Sequence, residues 1–146
     1  MPVDDKEHGG VNMTAISLAQ FPAHLGLGAT VSAEPAFTGD MQWYDAYVNR
    51  HLSDGVEGRL VSMHTSDTSW KMWEMHPHGA ELVLCTAGEM TLYQEHPNGS
   101  TTQVILKPGD YVINPPGIWH TADIAVSATA VFITAGVGTQ HRQRED

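Results

Sequence analysis

Basic side chains are scarce in this sequence. Seven lysine and arginine residues stand against seventeen aspartate and glutamate residues, so the formal net charge at pH 7 is −10. The basic residues are scattered and form no stripe along the chain. Nucleic-acid binding requires dense positive charge that displaces counterions from phosphates, so the composition argues against a nucleic-acid partner. The acidic balance instead indicates a soluble surface.

Cysteine and long apolar runs are also nearly absent. Cys85 is the single cysteine, so no disulfide forms within the chain, and its apolar neighbours predict a small buried side chain. No stretch approaches the roughly twenty apolar residues of a membrane span. The amino terminus, Met1–Glu7, is acidic and lacks the charged-then-apolar order of a secretory signal. We therefore expect a cytoplasmic protein with no membrane partner.

Nucleophile and phosphate-binding motifs are missing as well. No Gly-x-Ser-x-Gly elbow and no glycine-rich phosphate loop occur, and Cys85 has no base at a recognisable spacing. Nucleophilic catalysis is therefore poorly supported.

From its middle onward the sequence contains one short apolar segment after another, separated by turn residues. Asn98-Gly99 is the strongest hairpin signal among these turns. Many short strands at this spacing predict an all-β sandwich or jelly-roll barrel, and the lack of an internal repeat predicts a single one. The predicted strands cover residues 58–65, 70–75, 81–86, 90–95, 101–106, 111–114, 119–122 and 125–134.

The chain divides into three parts on this pattern. Residues 1–57 are predicted to form an N-terminal arm with one short helix, residues 58–136 the barrel, and residues 137–146 a polar, frayed tail. A chain of 146 residues buries about two-thirds of its unfolded surface. Neither disulfides nor a bound ion is therefore needed merely to hold this protein together.

A short amphipathic helix is predicted between Thr38 and His51. Apolar residues recur there at helical spacing, and Asp40 or Thr38 is available as the N-cap. Trp43 and Tyr47 lie four residues apart, which predicts an aromatic ridge against the barrel.

Three histidines carry the strongest chemical signal. On an extended strand, side chains at i and i+2 point to the same side about 6.6 Å apart, so His76 and His78 are predicted to converge on one ion. The turn at Gly109 and the bend at Pro115-Pro116-Gly117 are expected to aim His120 inward as a third ligand. Neutral imidazole is the commonest metal ligand in proteins.

At these residues the chain resembles the cupin family. The second motif of that family is Gly, five residues, Pro-x-Gly, two residues and His, and it is matched by Gly109, Pro115, Gly117 and His120. The motif normally ends with Asn four positions beyond the histidine, where this sequence has Ile124. That Asn is not a ligand, so the metal prediction does not depend on it.

The first cupin motif is His-x-His, three or four residues, Glu, six residues and Gly. His76 and His78 match it, and Glu81 stands six residues before Gly88, but only two residues separate His78 from Glu81. Strict alternation from His78 turns Glu81 away from the metal. A turn at Gly79 would restore it.

The resemblance, which spans residues 58–136, implies a double-stranded β-helix or jelly-roll barrel with a metal centre. The implied ligands are His76, His78, Glu81 and His120, around one divalent transition metal: Fe, Mn, Ni, Co or Zn. In cupins the N-terminal segment often drapes over a partner subunit, so the resemblance also implies a homodimer.

Two functions from different classes follow. The first is a metal-dependent enzyme that acts on a small organic molecule by oxygenase, isomerase or lyase chemistry. The alternative is a non-catalytic barrel that binds or senses a small molecule anchored on the metal. The short spacing before Glu81 and the loss of Asn at Ile124 add weight to this alternative.

The sequence assigns no catalytic residue. Acid–base candidates are near the motifs in sequence only: Glu74, Glu89, Tyr93 and Glu95. An apolar wall is expected from Trp70, Met72 or Trp73, Met75, Tyr93 and Trp119. The other histidines, His8, His24, His51, His96 and His141, are interpreted as surface or hydrogen-bonded core residues. His64 differs because it shares a strand face with Leu60 and Ser62 and is placed to enter the cavity.

Overall fold

The chain folds into two antiparallel sheets around a shared core. The computed structural model describes residues 13–145. The strands are β1 (Ala23–Leu25), β2 (Val31–Ala33), β3 (Arg59–Ser66), β4 (Met72–Met75), β5 (Glu81–Gly88), β6 (Met90–Glu95), β7 (Thr101–Leu106), β8 (Tyr111–Asn114), β9 (Trp119–Asp123), β10 (Ala128–Thr134) and β11 (Gln140–Gln143). One α-helix, α1 (Met41–Arg50), and two short 3-10 turns, Leu27–Ala29 and Leu52–Asp54, complete the described chain.

The strand order is that of a double-sheeted barrel. One sheet has six strands in the order β2-β1-β3-β10-β5-β8, and the other has five in the order β11-β4-β9-β6-β7. Strands distant in sequence thus lie side by side. Apolar side chains from both inner faces form the core, with Val83, Cys85 and Leu92 fully buried. The predicted all-β jelly-roll barrel with one helix is confirmed, and so is the buried Cys85.

Helix α1 begins where the sequence predicts. Asp40 is the N-cap, and its Oδ1 accepts a hydrogen bond from the backbone N–H of Trp43 at 2.8 Å. Trp43 and Tyr47 are buried with Leu60 of β3, and their rings stack with centroids 5.8 Å apart. The predicted aromatic ridge therefore packs against the barrel. Among residues 13–145, no helix is long and apolar enough to cross a membrane.

Both ends of the chain are paired with strands of the barrel. In the arm, β1 pairs with β3 of the same chain and β2 extends the same sheet. The tail is not frayed, because β11 pairs with β4. Neither segment shows sustained alternation, so both strands depend on hydrogen bonds to a neighbour rather than on their own pattern. His8 and the acidic segment Met1–Glu7 lie outside the described residues.

Candidate metal centre

Three of the four predicted ligands meet at one end of the barrel. Nε2 of His76 lies 3.2 Å from Oε2 of Glu81, and Nε2 of His120 lies 3.1 Å from Oε1 of the same carboxylate. The two imidazole centroids are 5.1 Å apart. All three side chains are buried. One carboxylate therefore faces two imidazole nitrogens away from solvent.

A bend before β5 explains why Glu81 points inward. β4 ends at Met75, and residues 77–79 form a bend rather than a strand. The alternation of faces therefore restarts at Glu81, which is buried on the same side of β5 as Val83 and Cys85. The turn at Gly79 that would bring Glu81 inward is present. Gly79 packs against Ala135, and a Cβ added at Gly79 would lie 2.5 Å from the Cβ of Ala135.

Two neighbouring strands hold the Glu81 carboxylate. Glu81 is directly paired with Thr134 of β10 and with Asn114 of β8. Thr134 Oγ1 donates to Oε2 at 2.6 Å, and Asn114 Nδ2 donates to Oε1 at 3.1 Å. Gln94 Nε2 in turn donates to Asn114 Oδ1 at 2.8 Å. Each carboxylate oxygen thus has one fixed donor and one imidazole neighbour.

The Nδ1 atoms of His76 and His120 both make hydrogen bonds on the side of each ring away from Glu81. Thr139 Oγ1 donates to the carbonyl of Gly136, so it accepts the Nδ1 proton of His76 at 2.8 Å. The carbonyl of Ile118 can only accept, so His120 donates from Nδ1, at 3.2 Å. In the neutral rings, therefore, both Nε2 atoms carry a lone pair that faces Glu81.

Those two Nε2 atoms are the buried polar side-chain atoms without a hydrogen-bond partner in the described part of the chain. A lone pair against a carboxylate oxygen is repulsive, so a positive charge, either a proton or a metal cation, is required between them. Two atoms bound to one ion at about 2.1 Å and at right angles lie about 3 Å apart, which matches the observed separations. The residues present therefore fit a divalent metal.

The electrostatics of the site agree with this requirement. Burial alone would raise the pKa of Glu81, but the adjacent imidazoles of His120 and His76 hold the pKa well below its usual range. Burial opposes a charge on His120, yet the Glu81 carboxylate raises the pKa of that ring above its ordinary value. The site therefore favours an ionised carboxylate with a cation beside it.

Glu74 is a further carboxylate near the centre. It is directly paired with His120 across β4 and β9, and its Oε2 lies 3.8 Å from His120 Nε2. Potential ligand atoms of Glu74, His76 and His120 all lie within 4.8 Å of one another. Its other oxygen, Oε1, lies 3.2 Å from Nε2 of His141. The sequence indicated Glu74 as an acid–base candidate only because it lies near the first motif, since residue spacing does not reveal that β4 pairs with β9.

The structure sets His78 apart from the other predicted ligands. It lies in the 77–79 bend, so the i, i+2 rule for extended strands does not apply. His78 is exposed and lines a surface cavity of about 550 Å³ together with Leu25, Arg59 and Ala135. Its role as a ligand stays a prediction from the motif.

Aromatic rings surround the centre on one side. The Trp70 ring lies 6.4 Å from that of His120 and 6.0 Å from that of Phe132, and His64 lies 5.8 Å from Phe132. Burial lowers the pKa of His64, which favours the neutral ring. Burial, together with the charges of Glu74 and Glu81, raises the pKa of Tyr44 of α1 to about 12.

Several other residues that were predicted to line the cavity or to act as acid or base make contacts outside this cluster. The guanidinium of Arg142 lies over the rings of Trp73 and Trp119, and it also pairs with Glu95. Tyr93 donates to Asp123. Of the four acid–base candidates, Glu74 is the one for which the structure shows a contact with the predicted ligands.

A second polar cluster lies between the arm and α1. Both ring nitrogens of the buried His24 are engaged, with Tyr47 Oη at 2.6 Å and Asp54 Oδ2 at 2.5 Å. The ring of His51 stacks on that of His24 at 3.5 Å, and His51 contacts Glu34. The interpretation of these histidines as hydrogen-bonded residues is confirmed, and the cluster ties the arm to the helix.

This fold and donor set agree with the comparison with known families. A model of the cupin domain family matches residues 59–136, more than half of the chain, and the chain therefore belongs to this family. None of the curated proteins matches the chain.

Several solved structures resemble the barrel. One is the cysteine peptidase Peruvianin-I from Thevetia peruviana latex, with 24% identity, coverage of 60% of this chain and 55% of that chain, and a TM-score of 0.47. Another is a cupin superfamily protein from Desulfitobacterium hafniense DCB-2, with 18% identity, coverage of 52% of this chain and 65% of that chain, and a TM-score of 0.44. A third is hydroquinone 1,2-dioxygenase from Sphingomonas sp. TTNP3, with 12% identity, coverage of 52% of this chain and 59% of that chain, and a TM-score of 0.43. The chain spans between 55% and 65% of these proteins. At such identities and TM-scores they carry no argument about activity.

Proposed function

We propose that this cupin is a metal-dependent enzyme that acts on a small organic molecule by oxygenase, isomerase or lyase chemistry. One divalent transition metal, Fe, Mn, Ni, Co or Zn, is held by His76, Glu81 and His120. The observation that carries the proposal is the pair of buried Nε2 atoms without partners, both directed at one carboxylate. His78 remains a predicted fourth ligand from the motif.

The donor set supports this choice of metals. Two imidazole nitrogens and one carboxylate oxygen form a mixed set suited to these ions. When bound, such an ion supplies a Lewis acid with coordination positions open to a substrate oxygen or to water. Three protein ligands leave such positions open.

Glu74 is the residue best placed to move a proton at the site. It is half-buried, whereas Glu81 is almost fully buried, so it lies between the ligands and solvent. Its Oε1 contacts His141, and the pKa of that ring is raised by Glu74. The pair therefore offers a proton acceptor beside a proton donor at the edge of the centre.

The remaining neighbours would bind and shield a small molecule. Trp70 and Phe132 supply apolar surface, which excludes water and suits the carbon skeleton of a small organic acid, carbohydrate derivative or aromatic compound. The phenol of Tyr44 stays protonated at neutral pH and can donate a hydrogen bond to a substrate oxygen.

The test is reconstitution of metal-free protein with each of the five metals, followed by a turnover screen on small acids, sugar derivatives and phenols. Glu74→Gln is expected to keep the metal and lose at least tenfold in kcat, since one proton acceptor is removed. Glu89→Gln is the control, because Glu89 is exposed in the turn between β5 and β6. Equal activity of the two variants would remove Glu74 from the mechanism.

The alternative function is a metal-anchored binding or sensing barrel without turnover. The observation that favours it is that Glu74, the nearest acid–base group, is already paired with His141. Under this alternative, compounds from the same screen raise the melting temperature of the metal-loaded protein, and none is converted with any of the metals.

We further propose that the protein acts in the cytoplasm as a homodimer. Because β1 pairs with β3 of its own chain, this dimer does not require the arm to drape over a partner.

A further inference from the structure

A row of four aromatic rings leads to the metal centre. The ring centroid of Phe37, in the arm, lies 4.8 Å from that of His64, and the His64 centroid lies 5.8 Å from that of Phe132. The Phe132 ring is 6.0 Å from that of Trp70, which is 6.4 Å from that of His120. These separations are those of aromatic pairs in contact. We call Phe37, His64, Phe132 and Trp70 the aromatic row.

The strand residues of the row point into the barrel. Directly paired residues of an antiparallel sheet point to the same side. His64 is paired with Ala130 and Phe132 with Val83, and both partners are buried in the core. Trp70 packs against the same core. The row is therefore part of the inner wall that also carries the metal ligands.

The rings of the row keep exposed surface although they lie on this inner wall. All four are half-buried, whereas Val83 and Leu92 of the core are fully buried. An inward-facing ring that keeps exposed surface borders space that solvent can enter. Binding sites for small molecules are clefts of this kind, with mostly apolar walls and a few polar groups. The row thus provides the apolar wall of such a cleft beside the metal centre.

His64 supplies a polar group within this wall. Between residues 13 and 145, neither of its ring nitrogens makes a hydrogen bond, and its ring neighbours are Phe37 and Phe132. Burial lowers the pKa of His64, so the ring is neutral at neutral pH. A neutral imidazole offers one donor and one acceptor. A hydroxyl group also donates and accepts, so a hydroxyl on a bound molecule matches this ring.

The charges that act on this region are negative. Glu74 acts on the pKa of His64, and Glu74 and Glu81 act on the pKa of Tyr44. These two carboxylates together balance the charge of one divalent ion.

No lysine or arginine of the described chain is available to hold an anion beside the row. Three of these six side chains pair with carboxylates and three are exposed at the surface. The pairs are Arg50–Glu34, Arg142–Glu95 and Arg144–Asp123, and the exposed side chains are Arg59, Lys71 and Lys107. Arg144 also donates to the backbone carbonyl of Trp70, but its guanidinium is 2.9 Å from Asp123. An anionic ligand would therefore lack a cationic side chain as partner.

We propose that the aromatic row binds a neutral hydroxylated aromatic compound, whose ring lies against Phe132 and Trp70 and whose hydroxyl group bonds to His64. This inference rests on the proposed function and narrows its substrate to one class. A small organic acid would bring a negative charge towards Glu74 and Glu81. A carbohydrate derivative needs several hydrogen-bonding side chains for its hydroxyl groups, and the row is mostly hydrocarbon. An aromatic ring contacts such a wall over its whole face.

Ligand-observed NMR titration of the intact protein, with and without zinc, tests the ligand class. The probes are phenol, benzoate and cyclohexanol. Phenol is expected to bind about tenfold or more tightly than benzoate, because the benzoate carboxylate lacks a cationic partner among the side chains. It is expected to bind about three- to tenfold more tightly than cyclohexanol, which has the hydroxyl group but no aromatic ring.

Substitutions of His64 test its hydrogen bond. His64→Phe keeps a ring in the row and removes both the donor and the acceptor, so the affinity for phenol should fall about three- to tenfold. His64→Gln can donate and accept and should restore most of that affinity. His96→Phe is the matched control, because His96 lies between β6 and β7 and contacts Thr102. Far-UV circular dichroism checks the folding of each variant.

Phenol that binds no more tightly than benzoate and cyclohexanol would overturn the ligand class. An equal loss of phenol affinity in His64→Phe and His96→Phe would overturn the role of His64. Zinc content is measured before any ligand is added. Protein that holds zinc without preferring phenol would refute this inference and leave the metal centre standing. Protein that holds no metal but prefers phenol would refute the proposed function and leave the ligand class standing.

Discussion

At the scale of single residues, the proposed metal centre would depend on side chains that are not themselves proposed ligands. Thr134 and Asn114 each donate to one oxygen of Glu81, and Thr139 and the Ile118 carbonyl set the tautomers of the two rings. Without these contacts the ligand atoms would be free to rotate away. Groups of this kind typically contribute 10- to 100-fold to metal affinity.

Thr134→Val removes the 2.6 Å hydrogen bond to Glu81 and keeps the shape of the side chain. We expect the affinity for a divalent metal such as Zn or Co to fall about 10- to 100-fold, as measured by competition with a chelator. Thr129→Val is the control, because Thr129 lies in the same strand and bonds to Thr65 instead. Equal affinity of the two variants would refute a supporting role for Thr134.

At one residue of the predicted ligand set, His78, the local geometry differs from the one that the sequence argument assumed. His76 and His120 meet as the motif implies, because His76 directly follows β4, the turn at residues 116–117 leads into β9, and β4 pairs with β9. The i, i+2 argument for His78 assumes an extended strand, and the 77–79 bend removes that assumption. The same bend turns Glu81 inward. Ile124, which replaces the Asn of the motif, is buried in the core.

At the scale of elements, α1 is predictable and the short strands at both ends are not. Helical spacing and an N-cap define the helix locally, so its bounds follow from the sequence. β6, β7 and β8 also match their predicted bounds residue for residue. β1, β2 and β11 have three or four residues each, and long-range pairing decides their conformation, not local preference.

The N-cap makes a separate contribution to stability. Asp40→Ala removes the acceptor for the Trp43 N–H and is expected to lower the free energy of unfolding by about 1 kcal/mol. Asp45→Ala, at an exposed position inside α1, is the control and should change it by less than about 0.5 kcal/mol. Urea denaturation followed by circular dichroism measures both. A loss in Asp45→Ala as large as in Asp40→Ala would contradict the capping role.

The contact between the arm and the segment after α1 should depend on pH. The hydrogen bond with His24 holds the pKa of Asp54 below its ordinary value of 3.8. Because the folded-state pKa is the lower one, ionised Asp54 stabilises the fold above pH 3.8 or so, and this contribution is lost as the pH falls through the folded value.

Asp54→Asn tests this dependence. We expect it to lower the melting temperature at pH 7, and we expect the difference from wild type to shrink as the pH falls below about 4. Thermal unfolding at a series of pH values gives the comparison. A difference that stays constant down to the acid transition would mean that the charge of Asp54 does not stabilise the fold.

At the scale of the whole molecule, strand number and spacing are enough to predict an all-β barrel, and the match of the cupin domain over residues 59–136 agrees. The packing of both chain ends onto the barrel could not be predicted, since it depends on backbone pairing with β3 and β4. The position of Glu74 beside His120 depends on pairing in the same way. What the molecule does depends on whether that end of the barrel holds a metal.

Metal content per subunit after reconstitution and gel filtration tests that claim most directly. Wild-type protein should retain about one divalent ion per chain, and Glu89→Ala, at an exposed position between β5 and β6, should retain as much. The single variant His120→Ala and the double variant His76→Ala/His120→Ala should retain almost no metal, since each loses at least one Nε2 ligand of the buried centre. Full metal loading in the double variant would contradict the account.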